Sequence, residues 1–258
     1  MSTTTGAAAP SALGAAPAKA GIILTTLILG AMVANINTSI SNVALPLIGS
    51  ALNATDTQLT GITDAYQLGI AATVLYLGAV GDRYGRKRML LLGAFLCVPF
   101  SLMSAWSPTA VFLIGAQIAV GVSGGMLYPT TLSMITALWR GKKLTAAIAL
   151  WTGIGTGASV LGPILGGWLL GNYWWGSVFL ITVPLAIVVL VLGFVVLPKS
   201  AAEHNEPVDH QGGTLSVIMI SSLVLGIVML PQGITITVGV LFAVMLVSGF
   251  LFVRRERR

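Results

Sequence analysis

Residues 77–90 read LGAVGDRYGRKRML. This stretch holds Asp82, Arg83, Arg86, Lys87 and Arg88, a quarter of the twenty charged side chains in the 258-residue chain. Long apolar runs flank it on both sides. A short charged turn between two apolar helices fixes how both enter a bilayer, and the rest of the chain reads outward from it.

The chain is 56% hydrophobic and only 8% charged, with a mean hydropathy of +0.95. A water-soluble domain carries roughly a quarter charged residues, so this chain cannot cover a water-facing surface. Its apolar residues fall into separate runs of about 20, the length a helix needs to cross a bilayer core. Period-two alternation is absent, which argues against an outer-membrane barrel. The fold class is therefore an all-α polytopic membrane protein. A net charge of +6 would suggest nucleic acid as partner in a soluble protein, but here the cations sit in short loops, where they orient helices. The single Cys97 excludes an internal disulfide. The apolar run from Gly21 is too long, and too soon interrupted by Asn, for a cleaved signal peptide.

The runs predict six helices over 21–45, 59–80, 89–105, 111–138, 145–170 and 175–197, and two more over 214–230 and 234–253. Pro46 should close the first, since proline cannot donate to a helix interior. Residues 1–20, made of Ala, Thr, Ser, Gly and Pro with one Lys, should be a disordered tail. The organisation expected is this tail, a six-helix bundle over 21–197, a polar linker over 198–213, a two-helix addition over 214–253, and a basic end over 254–258. With the N-terminus inside, all thirteen Lys and Arg fall on the inner side: Lys19, the 83–88 turn, Arg140 to Lys143, Lys199 and Arg254 to Arg258. Bias this complete supports both the helix count and a cytoplasmic-membrane protein with both termini cytoplasmic. Trp174 and Trp175 at an outer boundary and Trp139 at an inner one should be interfacial anchors.

Few residues within the spans can carry chemistry. Asp64 is the one ionisable side chain in a span, on a stripe of the second helix running through Thr60, Gln67, Ala71, Leu75, Gly78 and Asp82. An intramembrane acid is a functional candidate, here for a proton or cation, while headgroup water could equally wet it. Tyr66 lies beside it. The first helix is polar on two faces, Asn35, Thr38, Ser39 and Asn42 on one, Asn37 and Ser41 on the other; one should pack and the other line a cavity. The fourth helix carries Gln117, Gly121, Gly124, Tyr128 and Thr131 in one stripe suited to close packing. The fifth is rich in glycine (Gly153 and Gly157, then Gly155, Gly162 and Gly166), with Pro163 inviting a kink. Asp64, Gln67, Tyr66, Asn37, Gln117, Asn42 and Tyr128 are thus the substrate or cation candidates. Glu203, His204, Glu206, Asp209 and His210 have no compact metal-ligand spacing and read as a solvated linker. No catalytic constellation, metal site or cofactor motif occurs, so an enzyme is not expected.

These residues resemble the major facilitator superfamily. Gly78 to Lys87 resembles its loop 2–3 signature GxxxDRxGRK, Asn42-Val43-Ala44-Leu45-Pro46 the helix 1 signature of drug exporters, and Gly157 to Gly167 (GASVLGPILGG) the antiporter motif of helix 5. Leu127 to Ile135 is also similar to the fourteen-helix drug:proton antiporter branch, which exports multidrug and quaternary-ammonium compounds. The resemblance implies a transporter of small amphipathic, lipophilic or cationic molecules in the lipid bilayer. It implies that Gly78, Asp82, Arg83, Gly85, Arg86 and Lys87 form a cytoplasmic latch between two halves. It also implies that Gly162, Pro163, Gly166 and Gly167 shape an interface between halves, and that Asp64 matches a membrane-embedded acid of cationic-drug exporters. The family's helix 1 acid falls here at Asn37 and its helix 4 arginine at Gln117, which puts ordinary proton coupling in question. The chain ends after the two added helices, so a transporting protein would need a second helical half, a partner chain or self-association. The competing reading is a membrane subunit or scaffold that keeps the half-transporter fold without transport.

Overall fold

The computed structural model describes residues 19–198, 209–229 and 235–256. The expected disorder of the N-terminal tail, Glu203 to Glu206 of the linker and the turn at 231–233 lie outside the described residues. Among these residues, eight long α-helices run as α1 (Ala20–Leu52), α2 (Asp56–Tyr84), α3 (Arg86–Ala105), α4 (Ala110–Leu138), α5 (Gly141–Asn172), α6 (Thr182–Val196), α7 (His210–Met229) and α8 (Ile236–Glu256). A 3-10 segment, Trp175–Ile181, leads into α6 and completes that span.

The ends of these helices follow local chemistry that hydropathy alone misplaces. α1 does not stop at Pro46; it continues to Leu52 and ends where Asn53 turns left-handed at φ 48°. Asparagine is one of the few residues that tolerate this conformation as a helix stop. Prolines also sit inside α3, α4 and α5 (Pro99, Pro129 and Pro163). Membrane helices tolerate them because neighbouring helices and Ser or Thr side chains re-satisfy the freed carbonyls. α2 starts at Asp56, three residues earlier than expected, because Thr55 and Gln58 form a capping box. Thr55 Oγ1 accepts from the Gln58 amide at 3.3 Å, and Gln58 Oε1 accepts from the Thr55 amide at 3.0 Å. α7 begins at His210 rather than Thr214, because Asp209 Oδ1 accepts from the amides of Gln211 and Gly212.

Among the described residues, seven helices are long and apolar enough to cross a membrane. α2 falls short on hydropathy, since Asp64, Gln67, Asp82 and Arg83 lie along it. Its 29 residues reach about 43 Å, well beyond the hydrocarbon core. It is held inside the bundle by α4 on one flank and touches α1, α3 and α7.

The tightest crossing is α2 on α4. A Cβ placed on Gly121 would lie 2.3 Å from the Tyr66 carbonyl oxygen, and one on Gly69 would lie 2.4 Å from that of Ile118. Backbone meets backbone there, which only glycine permits. α1 packs against α5 and α6, and α3 against α4 and α6. Two apolar clusters fill the interior: one around Leu27, Leu90, Leu127 and Ile135, the other around Ile40, Ile48, Leu113 and Phe179. Trp139, at the end of α4, is buried in the first cluster, whereas Trp174 is exposed. Large apolar side chains such as Val160, Phe194 and Phe250 point outward, as a surface solvated by lipid requires. α7 and α8 pair as a hairpin, and α7 lies on α2, where the Tyr76 ring sits against the Gly213 backbone.

Candidate functional site

The charged turn is one residue long. Gly85 separates α2 from α3 at φ 109° and ψ 120°, a conformation that L side chains rarely adopt. The reversal brings Asp82 and Arg86 together across it. Arg86 Nε donates to Asp82 Oδ1 at 2.8 Å, Ser133 Oγ of α4 donates to the same oxygen at 3.1 Å, and Arg86 Nη1 donates to the Ser133 carbonyl at 3.0 Å. Arg86 is buried. Its charge is therefore spread over a carboxylate and a carbonyl, the paired state that burial of a guanidinium demands. The network ties α2, α3 and α4 within this chain. Ser133 gave no ionic signal in the sequence; its part in the network comes from α4 packing beside the turn.

Lys87 points the other way. Its Nζ donates to the carbonyls of Phe194 at 2.8 Å and Leu197 at 2.6 Å, and lies 5.9 Å from the Phe194 ring centre. It thereby satisfies carbonyls left open at the C-terminus of α6, where a cation is favoured. Gly81 packs on Thr130, where an added Cβ would approach to 3.2 Å, while Gly78 has ordinary space, 3.8 Å from Pro129. The close approach beside the turn thus falls at Gly81 and the backbone requirement at Gly85. Arg83 is partly buried at the end of α2.

The intramembrane candidates separate into two groups. Tyr66, Asn37 and Gln117 are buried. Tyr66 donates from its hydroxyl to the Ala34 carbonyl at 2.9 Å and so links α2 to α1. Among the described residues, Asn37 Oδ1 and both polar atoms of Gln117 have no hydrogen-bond partner. Asn42 and Gln67 are exposed, and Asp64 and Tyr128 are half-buried. Among the described residues, Asp64 has no ion-pair or hydrogen-bond partner. Of the two polar faces of α1, Asn37 and Ser41 form the buried one, and Asn35, Thr38, Ser39 and Asn42 the more open one.

Tyr128 packs at 5.1 Å, centre to centre, on Trp151 of α5, and Trp151 Nε1 donates to Thr131 Oγ1 at 3.1 Å. Trp151 went unremarked in the sequence, although a tryptophan deep within an apolar run, far from either interface, was its signal. The glycines of α5 also divide. Gly155, Gly162 and Gly166 face α1, where a Cβ on Gly162 would lie 2.9 Å from Ser39 Cβ. Gly153, Gly157 and Gly167 have nothing within 4 Å, and Pro163 is exposed beside them. α5 thus presents one face to α1 and leaves a second exposed, where these glycines stand among larger side chains such as Val160 and Ile164.

The basic residues meet at one end of the bundle. Lys87 at the start of α3 reaches the end of α6, and Arg86 reaches the end of α4. Arg255 at the end of α8 pairs with Asp209 at the start of α7 at 2.5 Å. The Arg255 hydrogen bond, with those from the Gly212 and Gln211 amides, holds the Asp209 carboxyl below the usual carboxylate range. No group of three or more His, Cys, Asp or Glu assembles among the described residues.

Comparison with known proteins agrees with this architecture. The family model described as Major Facilitator Superfamily matches residues 27–256. The chain is 37% identical over 244 residues to the multidrug efflux pump LfrA of Mycolicibacterium smegmatis, covering 94% of this chain and 48% of that protein. It is 37% identical over 190 residues to the methyl viologen resistance protein SmvA of Salmonella typhimurium, covering 73% of this chain and 38% of that one. It is 30% identical over 205 residues to the multidrug resistance protein Stp of Mycobacterium tuberculosis, covering 79% and 38%. The chain spans less than half the length of these curated relatives. A multi-pass helical membrane protein with a one-residue charged turn, a glycine-to-glycine α2–α4 crossing and this similarity to drug efflux proteins along its length belongs to the major facilitator superfamily.

Proposed function

We propose that this chain forms one wall of an exporter that moves small amphipathic or drug-like molecules across the cytoplasmic membrane, both termini on the cytoplasmic side. The observation that carries this reading is the similarity to a multidrug efflux pump over 94% of the chain. In this superfamily substrate binds between two helical halves near the bilayer midplane, and access alternates as one half rocks against the other. The six-helix body, α1 to α6, corresponds to one half, with α7 and α8 as an added hairpin. The exposed face of α5 suits a second helical body, whether the rest of a longer chain, a partner or another copy, because its glycines let helices approach closely. The Asp82–Arg86–Ser133 network would hold the near side of that contact rigid.

Asp64 is the candidate for the proton or for a cationic substrate, with Gln67 one turn away on the same face. Asn37 cannot titrate and Gln117 carries no charge, so any coupling to a proton gradient would fall to Asp64. Reconstitution of the chain with and without a complementary six-helix half, measuring cationic dye efflux against a pH gradient, tests the proposal. Gradient-dependent efflux only with the second half is expected, and Asp64→Asn should remove the pH dependence. No efflux in either arrangement would favour the second reading, a membrane subunit that keeps the fold without transport, which the neutral Asn37 and Gln117 support.

A further inference from the structure

The α7–α8 hairpin carries a groove that the transport reading leaves unused. One part, about 370 Å³, is apolar and lined by Leu215, Val244, Val247 and Leu251 among others. The next, about 400 Å³, is bounded by Leu215, Leu251, Arg254 and Arg255. The two share Leu215 and Leu251, so an apolar trough opens at its charged end onto two arginines. Arg255 is fixed there, its Nε on Asp209 Oδ2 at 2.5 Å and its Nη1 on Gln211 Oε1 at 2.6 Å. Arg254 is exposed and has no hydrogen-bond partner among the described residues.

We propose that this groove holds an anionic glycerophospholipid from the leaflet at the basic end of the bundle, with an acyl chain along the apolar part and the phosphate on Arg254 and Arg255. Charge and shape argue together. A hydrocarbon chain suits a trough whose walls are aliphatic. A guanidinium presents a planar fork of N–H donors that matches phosphate oxygens. Asp209 offsets one of the two charges and leaves the groove mouth positive. Arginines at the end of a span also orient it in the membrane. Orientation alone, however, requires neither an apolar groove leading to them nor a carboxylate that anchors one of them at its mouth. A zwitterionic lipid would fill the same trough, so headgroup selection is the property that defines the site.

The test uses the full chain, reconstituted with equal amounts of phosphatidylglycerol and phosphatidylcholine and extracted gently, with retained lipids counted by native mass spectrometry. The wild type should retain phosphatidylglycerol preferentially, and Arg254→Ala should lower that preference about fivefold, the effect of one cation at an anionic surface. Arg254→Lys, which keeps the charge and loses the planar fork, should fall between the wild type and Arg254→Ala. Val247→Trp, which fills the trough without touching charge, should reduce the lipid retained. Arg88→Ala and Lys142→Ala, exposed cations elsewhere at the same end, should leave the preference unchanged. Loss of preference in those two variants to the same degree as in Arg254→Ala would mean diffuse attraction and overturn the proposal. So would an unchanged preference in Arg254→Ala, full lipid retention in Val247→Trp, or no preference in the wild type.

Discussion

Replacing Gly121 by alanine should separate α2 from α4 and destabilise the whole bundle. The new Cβ would lie 2.3 Å from the Tyr66 carbonyl oxygen and 2.9 Å from Gly69 Cα. Ordinary van der Waals contact begins at 3.4 Å, so the helices must move apart by about 1 Å at their closest point. Both obstructing atoms belong to backbone, so no rotamer change relieves the clash. Alanine is a better helix former than glycine by about 1 kcal/mol, which opposes the effect. Overpacking a tight interior costs typically 1–3 kcal/mol, and this site should lie at or beyond the upper end because the motion is of whole helices. The net loss expected is about 2 kcal/mol or more. Gly157→Ala is the matched control. It adds the same methyl with nothing within 4 Å, and should be neutral or slightly stabilising. The assay is loss of folded, monodisperse protein on heating in one detergent, followed by tryptophan fluorescence and size exclusion. If Gly121→Ala survives heating as well as Gly157→Ala, the backbone-to-backbone account of the α2–α4 crossing is wrong.

Three further outcomes follow from the same geometry. Gly85→Ala forces an L side chain into φ 109° and should cost about 1–3 kcal/mol, read as lower folded yield with unchanged helix content in what does fold. Tyr66→Phe removes only the hydroxyl donated to the Ala34 carbonyl and should cost about 1 kcal/mol, against about 3–5 kcal/mol for Tyr66→Ala; comparable losses from the two would refute the division into hydrogen bond and packing. The Asp209–Arg255 pair should respond to acid, because Asp209 is held below its usual range by Arg255. Its contribution is fully present above the unfolded carboxylate value of about 4 and fades as pH falls through the lower folded one. Lower protection of the amides in the first turn of α7, after correction for the pH dependence of intrinsic exchange, is the readout at low pH, mimicked at neutral pH by Asp209→Asn.

How much of this was legible in the chain itself depends on whether the determinant is local. Run length places eight helices, seven of them apolar enough to cross a membrane, because a span is set by some 20 consecutive residues whatever surrounds them. The collection of cations at one end is an expectation from counting alternations; in the structure Arg86, Lys87 and Arg255 each contact the end of another helix. The turn at Gly85 and the box at Thr55–Gln58 are also set locally, yet the expected turn over 81–88 was longer than the one residue found, and α2 starts before the expected 59. The Pro46 expectation failed because a proline rule drawn from isolated helices ignores neighbours that re-satisfy a carbonyl.

What the sequence by itself determined is therefore a bundle of membrane helices with a charged turn between the second and third, which the structure narrows from 81–88 to Gly85 alone. Only the tertiary structure decided that Asn37 and Ser41 face inward while Asn42 stays open, that Gly121 meets Gly69, that Gly162 meets α1 while Gly157 stays bare, and that α7 settles on Tyr76 of α2. The physical reason is the solvent. In water, a helix buries its apolar face and the pattern reveals which face that is. In lipid, both faces are apolar, and close fit between backbones selects the partner. That fit depends on atoms of two distant segments at once, so no single segment of the chain contains it.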